Sequence, residues 1–288
     1  MKELKNYWCS ISAYVLLTAV ALGLFSCNKE DDQLTSEEDE AESVVLDEAI
    51  VDDLFEEVDL ISNEGAAEGE NEEGGRFETN DRLLGECVGR GIDRRLAEGV
   101  FTKTVTLDFL EGCVGPKGRE RQGTMIITQI ANTNESTYTV STSFENFYLD
   151  GKKIEGTRTR VYTSIESGIE QVKITLVSGK VTLEDGQVLK REGAFTKVWD
   201  HSTEEIAVRG EATGVNRNGV VYQTVISEPL VFKQSCLSQG IWIPTQGVRM
   251  ISRSGKANIS VNYGAGECDR TVEVTLQGES KTVELAVK

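Results

Sequence analysis

The sequence predicts an all-β fold: an antiparallel meander, arranged as a curled sheet, a barrel-like structure or a sandwich, preceded by one short amphipathic helix and an acidic tether. Period-two alternation is the first reason. Val105, Leu107 and Phe109 alternate with Thr104, Thr106 and Asp108, and Val172, Ile174 and Leu176 alternate with Gln171, Lys173 and Thr175. The spacing returns at Ile259, Val261 and Tyr263, at Val272, Val274 and Leu276, and at Val283, Leu285 and Val287. Each segment gives a strand one apolar and one polar face, as expected of antiparallel sheet buried on one side. Turn dipeptides are the second reason: Asp150-Gly151, Ser167-Gly168, Ser178-Gly179, Asp185-Gly186, Asn218-Gly219, Ser254-Gly255 and Gln277-Gly278 supply the positive φ that tight hairpins need. Third, only three prolines occur in 288 residues, which suits long ladders.

The chain begins with Lys2 and Lys5, followed by an apolar stretch from Ile11 to Phe25 interrupted only by Ser12 and Thr18. That run of about 15 residues is shorter than the roughly 20 that a spanning helix needs, so residues 1–26 read as an export signal. It ends in Leu24-Phe25-Ser26-Cys27, which resembles the lipobox of bacterial lipoproteins, although Phe25 is bulkier than the usual residue at its place. The resemblance implies that Cys27 becomes the lipid-bearing first residue, anchored to membrane by several acyl chains. The following Lys29, Glu30, Asp31 and Asp32 resemble the surface-export signal of Bacteroidota lipoproteins. This implies an outer-membrane anchor and display at the cell surface, with the periplasmic face as the alternative.

Charge divides the rest of the chain. The whole sequence carries 30 basic and 48 acidic residues, a net of −18. Residues 27–80 hold 21 acidic and 2 basic residues, whereas residues 81–288 hold 26 of each. Segment 27–80 therefore reads as an acidic tether and 81–288 as a single β domain, long enough for one substantial core. Within the tether, Val51, Leu54, Phe55, Val58 and Ile61 fall at helical spacing among acids, which predicts an amphipathic helix over 44–61. Packing on the domain or fraying in solution is expected of it before partner binding. Residues 63–75, rich in Glu and Gly, read as a flexible linker. Beyond Ile61 no comparable helical period occurs, and Asp93 to Glu98 could make a turn at most. The acidic clusters lack the alternating oxygen ligands around a turn glycine that a calcium loop needs.

Six cysteines are present; Cys9 leaves with the signal and Cys27 takes lipid, so Cys87, Cys113, Cys236 and Cys268 remain. An even number in an exported chain suggests two disulfides, with three possible pairings. Val105-Thr106-Leu107-Asp108-Phe109 runs to Gly112-Cys113, and Ile259-Ser260-Val261-Asn262-Tyr263 runs to Gly266 and Cys268. This internal echo, with another cysteine upstream of each, favours Cys87–Cys113 and Cys236–Cys268. Zinc is disfavoured, because no close cysteine pair or neighbouring histidine supplies a ligand set. The stretches Phe144 to Tyr148, Gly151 to Thr157, Thr182 to Gly186 and, most specifically, Asn262-Tyr263-Gly264-Ala265-Gly266-Glu267-Cys268-Asp269 are similar to a group of β-rich lipoproteins from Bacteroidota. The resemblance spans roughly residues 100–288 and implies fold and location, without an activity or catalytic residues.

The sequence shows no catalytic constellation. The single histidine, His201, sits in the polar run Asp200 to Glu205, which reads as a loop between strands. No nucleophile motif or metalloprotease motif surrounds it. Asp200 with Glu204 or Glu205 is the one candidate for a hydrolase pair. Gly89-Arg90-Gly91 follows no strand pattern and reads as turn glycines rather than a phosphate loop. Trp199 and Trp242 read as core residues before a sugar platform. Basic residues are dispersed, which argues against nucleic acid. The expected function is therefore a membrane-anchored binding or structural domain, not an enzyme, with no cofactor and no metal. Its expected partners are the membrane and an envelope, glycan or host-surface ligand, and a carrier of an apolar ligand is the alternative.

Overall fold

The computed structural model describes residues 29–67, 84–115, 118–132, 137–166 and 168–285. The export signal 1–26, Cys27 and the linker beyond Ala67 lie outside them. One long helix, α1 (Lys29–Ala67), precedes fourteen strands. These are β1 (Gly89–Ala97), β2 (Val100–Asp108), the short β3 (Cys113–Val114), β4 (Glu120–Asn132), β5 (Thr137–Leu149), β6 (Lys152–Glu166) and β7 (Ile169–Thr182). Then follow β8 (Val188–Asp200), β9 (Glu205–Val215), β10 (Val221–Lys233), the single turn α2 (Gln234–Leu237), β11 (Gln246–Arg253), β12 (Ile259–Ala265), β13 (Thr271–Leu276) and β14 (Glu279–Glu284). All belong to one antiparallel sheet in sequence order, with β3 paired to β4 off the main path. The sheet is not closed, and β1 and β14 are its two edges.

Hairpin geometry follows from the turn residues. Asp150 and Gly151 both have positive φ, 48° and 74°, and Gln277 and Gly278 have 53° and 91°. These are the mirror-image turns whose twist matches that of the flanking strands. Ser178-Gly179, expected to be a turn, instead forms a bulge inside β7, where the register shifts between Leu176 and Gly179. Apolar residues on both sides continue the ladder, so one extra residue is absorbed by the Ser178 φ of 52°. Of Asp93 to Glu98, expected to make a turn at most, Asp93 to Ala97 lie in β1, because all nine residues of that strand pair with β2, and only Glu98 falls in the turn that follows. Gly89 and Gly91 are likewise strand residues rather than turn residues.

Further bulges bend the sheet. At Gly123 (φ 82°), a Cβ would come within 1.9 Å of the Asn146 carbonyl oxygen, so only glycine fits the crossing of β4 and β5. Pro229 lies within the register shift of β10, the kind of position where a strand tolerates its missing N–H. The inner face of the sheet packs against residues 41–67 of α1. The helix interior contacts strands from β2, through Leu107 beside Gly65, to β14, through Lys281 beside Glu42.

The helix is the correction to the charge-based boundary. The compact β unit spans Ala41–Lys288, so residues 41–67 of the expected tether are part of it. Val44, Val51, Leu54, Phe55, Val58 and Ile61 are buried, as expected for an amphipathic face. Asp47, Glu48, Glu57 and Asp59 are buried too, so the polar face is covered rather than solvated. Two apolar clusters result. Val51 to Ala66 pack with strands β2 to β8, and Ala41 to Val45 pack with strands β9 to β14. Near the helix end, Lys103 Nζ donates to the Ala66 carbonyl at 2.7 Å and Gln129 Nε2 at 2.9 Å. A cation there also suits the negative end of the helix dipole. Cys87–Cys113 and Cys236–Cys268 form the two disulfides, with Cα separations of 5.8 and 5.4 Å.

Removing one partner of a buried ion pair strands the other charge, at a cost of about 3–5 kcal/mol. Asp59→Ala, which abandons Arg158 and Arg160, should lower unfolding stability by about that amount in urea titration. Glu42→Ala, which removes the half-exposed pair with Lys281, should cost about 0–1 kcal/mol.

Candidate functional site

The inner face of the sheet carries buried cations among its apolar residues, and α1 carries carboxylates that meet them. Residues 41–67 hold nine acidic residues and no basic one. Asp47 accepts from Arg217 Nε at 2.7 Å, and Glu48 accepts from Arg249 at 3.0 Å and from the Tyr222 hydroxyl at 2.5 Å. Asp52 bridges Arg191 and Arg249 at 2.5 and 2.7 Å. Glu56 meets Lys197, and Glu57 meets Arg121 at 2.5 Å. Asp59 takes both arms of Arg158 at 2.7 Å, while Arg160 donates to the Asp59 carbonyl and to Ser62 Oγ. The basic residues that look dispersed in sequence are thus gathered inside the fold.

These contacts set the ionisation of the helix acids. Burial opposes the charge of Asp59, yet the guanidinium groups of Arg158 and Arg160 outweigh it and bring the carboxyl down to about 2. Asp52 behaves alike: burial is overcome by Arg191 and Arg249, and its pKa falls well below the usual carboxylate range. Asp53 differs. Burial raises it, Arg119 only partly compensates, and the carboxylates of Glu57 and Asp150 add to the rise. Burial and the Glu48 carboxylate push the Tyr222 hydroxyl far upward.

Two hollows that share Glu56 and Trp242 in their linings lie against α1. The larger, about 390 Å³, is bordered by the helix residues Asp53, Glu56, Glu57 and Leu60 and by the loops carrying Arg119 and Trp242. The smaller measures about 80 Å³. Its apolar wall includes Ile174, Leu176, Phe195, Val208, Ile226 and Phe232. Arg158, Arg191, Lys197 and Arg249 line it opposite Asp52 and Glu56. Asp52 keeps 42% of its side chain exposed while joining two arginines, so it stands at the boundary between ion pair and cavity.

The residues singled out from sequence fall elsewhere. Cys27 is outside the described residues; Lys29, Glu30, Asp31 and Asp32 form the first helical residues of α1. Asp200 to Glu205 lie at the β8–β9 turn, as expected of a loop. Asp200 accepts from the Ser202 hydroxyl at 2.6 Å and from its N–H at 2.8 Å, and these bonds, with smaller help from His201, lower its pKa. Its oxygens therefore serve the turn. Trp199 is not core: it is 37% exposed and stacks on His201 with ring centroids 4.3 Å apart. Trp242 instead borders both hollows. Among the described residues, no group of three or more His, Cys, Asp or Glu side chains has a metal-binding arrangement, and no helix is long and apolar enough to cross a membrane.

Compared with known proteins, the chain matches no family model, no curated protein and no solved structure.

Asp59 and Asp52 have folded pKa values below their unfolded ones, so their contribution is present above about pH 4 and lost as pH falls toward the folded values. Urea midpoints measured from pH 5 down to pH 2 should therefore decline. In Asp59→Asn the decline should be shallower, because the mutant has one fewer carboxylate to protonate.

Proposed function

We propose that the chain is a membrane-anchored envelope lipoprotein whose β domain works by binding or by structural support rather than by catalysis. The observation that carries this reading is the pair of disulfides in a β domain that follows an export signal and a lipobox cysteine. Disulfides persist in oxidising compartments, and the lipobox gives such a compartment an address. The similarity of the Asn262 to Asp269 stretch to Bacteroidota lipoproteins, and the Lys29 to Asp32 cluster, favour the outer membrane and its outward face.

The interior supports binding over transport of a large apolar cargo. In a curled sheet the hollow is the natural place for cargo, and here α1 occupies it with apolar packing and ion pairs. Ejecting the helix would expose nine carboxylates and strand the buried cations that face them. Among the described residues, the space that remains includes the two hollows that share Glu56 and Trp242 in their linings. Between Cys27 and Ala41 lie thirteen residues, whose contour is at most about 45 Å. The domain is accordingly proposed to act close to the bilayer.

Metabolic labelling with radioactive palmitate tests the anchor. The wild-type chain should incorporate label and partition with membranes, and Cys27→Ala should do neither while still forming both disulfides. A labelled Cys27→Ala chain would overturn the lipoprotein reading, and protease protection of intact cells' protein would move it to the periplasmic face.

A further inference from the structure

We infer that the two free edges of the sheet are complementary docking surfaces, and that β1 of one copy pairs with β14 of the next. Both edges are open to an added strand. All nine residues of β1 are exposed, Ile92 at 39% and Leu96 at 72%, and the strand is paired on one side only, to β2. β14 likewise pairs only with β13. Neither strand carries the proline or the bulge that commonly blunts an edge, and both pairings run without a register shift. Their charges are opposite in sign. β1 holds Arg90, Arg94 and Arg95 against Asp93, and β14 holds Glu279 and Glu284 against Lys281. A second β1 is therefore repelled from β1, while β14 is attracted to it.

Direction and register follow from the sheet. Its main path has thirteen strands, each antiparallel to its neighbour, so β1 and β14 run the same way. A copy added with its inner face continuous with the first thus pairs parallel, through evenly spaced, slanted bonds. Ile92 lies opposite the buried Val105, which puts Arg90, Ile92, Arg94 and Leu96 on the inner face of β1. Val283 is buried and Lys281 meets Glu42 of α1, which puts both, with Glu279, on the inner face of β14. Two registers keep these faces matched and engage all six residues of β14. One sets Arg94 against Lys281 and is rejected by like charge. The other sets Arg90 opposite Glu279, Asp93 opposite Thr282 and Arg95 opposite Glu284, with no like charges opposed. Such head-to-tail pairing leaves a free edge at each end, so copies add in a line or close in a ring. The common orientation rests on the anchor proposed above: every copy in the row keeps the Ala41 end of α1 on the same side, as one membrane requires, whereas an antiparallel β1–β1 or β14–β14 pair would reverse one copy end for end. A six-residue strand pair spans only about 20 Å, so association should be weak in solution and favoured by confinement to a membrane plane.

The test is thiol cross-linking of full-length chains in membranes, using Asp93→Cys and Thr282→Cys, which the register places directly opposite one another at a spacing a disulfide can bridge. On mild oxidation, membranes holding both single variants should yield the mixed dimer and neither self-dimer, and a chain carrying both substitutions should yield a ladder of multimers. Arg95→Glu, which sets two carboxylates against each other, should reduce the ladder by about fivefold, and adding Glu284→Arg should restore it. If either cysteine variant fails to form the two native disulfides, Arg95→Cys with Glu284→Cys repeats the test at the next outward position. Self-dimers, equal cross-linking in every combination, no ladder from a folded chain, or a ladder indifferent to Arg95→Glu would overturn the inference. The unanchored Cys27→Ala chain should keep the same choice of partner at higher protein concentration, so failure of the anchor and failure of edge pairing are distinguishable.

Discussion

The ion pairs between α1 and the inner face of the sheet constrain everything else in the structure. Neither half is a sensible solution alone. A helix with nine carboxylates in 27 residues repels itself, and a sheet with Arg121, Arg158, Arg160, Arg191 and Arg249 buried on one face has no aqueous outlet for their charge. Together they neutralise each other in a largely buried interior, where broken pairs are costly and correct ones gain little over apolar packing. The net gain is therefore in position. Arg158 grips Asp59 with two bonds, Asp52 joins β8 to β11, and Arg217 fixes Asp47 near the other end, so a helix shifted by one turn would leave several charges facing apolar side chains.

Strands were legible in the sequence where apolar residues mark the inner face, and obscure where cations do. Val105, Leu107 and Phe109 alternate cleanly and are buried. In β6 the inward positions are Arg158, Arg160 and Tyr162, and the more apolar Val161 points the other way. Read by hydropathy alone, that strand turns inside out. In β11 the inward Arg249, Ile251 and Arg253 hide the same way, with Met250 between them. The recoverable signal was relational: arginines on inward strand positions such as Arg158 and Arg160 or Arg249 and Arg253, and a helix with many acids and no base to pair with them. Charge summed by segment discards that relation, which is why an acidic tether and a neutral domain seemed separate.

Other differences have equally local causes. Ser178-Gly179 carries the chemistry of a turn, yet a bulge uses the same positive φ, and only the uninterrupted pairing of β7 with β8 distinguishes them. The disulfides were readable because each closes a local motif of strand, glycine turn and cysteine. The two hollows were not readable at all. Their walls come from α1 and six strands far apart in sequence, and Trp242, which borders both, sits on a loop with no periodicity to reveal its neighbours.

Filling the sheet with a helix also explains why the sheet remains open. Closure is one way for a curled sheet to remove its edges and bury its inner face. Here α1 already covers that face, so closure would gain little burial, and the edges must be protected by other means. They carry charge: Arg90, Arg94 and Arg95 on β1, and Glu279, Lys281 and Glu284 on β14. Charged side chains along an edge discourage pairing with the same edge of another chain, because two copies of β1 would bring their arginines together. The nine residues of β1 are exposed on both faces, with Ile92 and Leu96 among them, so β1 depends most on that protection. The same electrostatics thus acts twice, as attraction that seats the helix within the sheet and as repulsion that keeps each outer strand apart from its own copy.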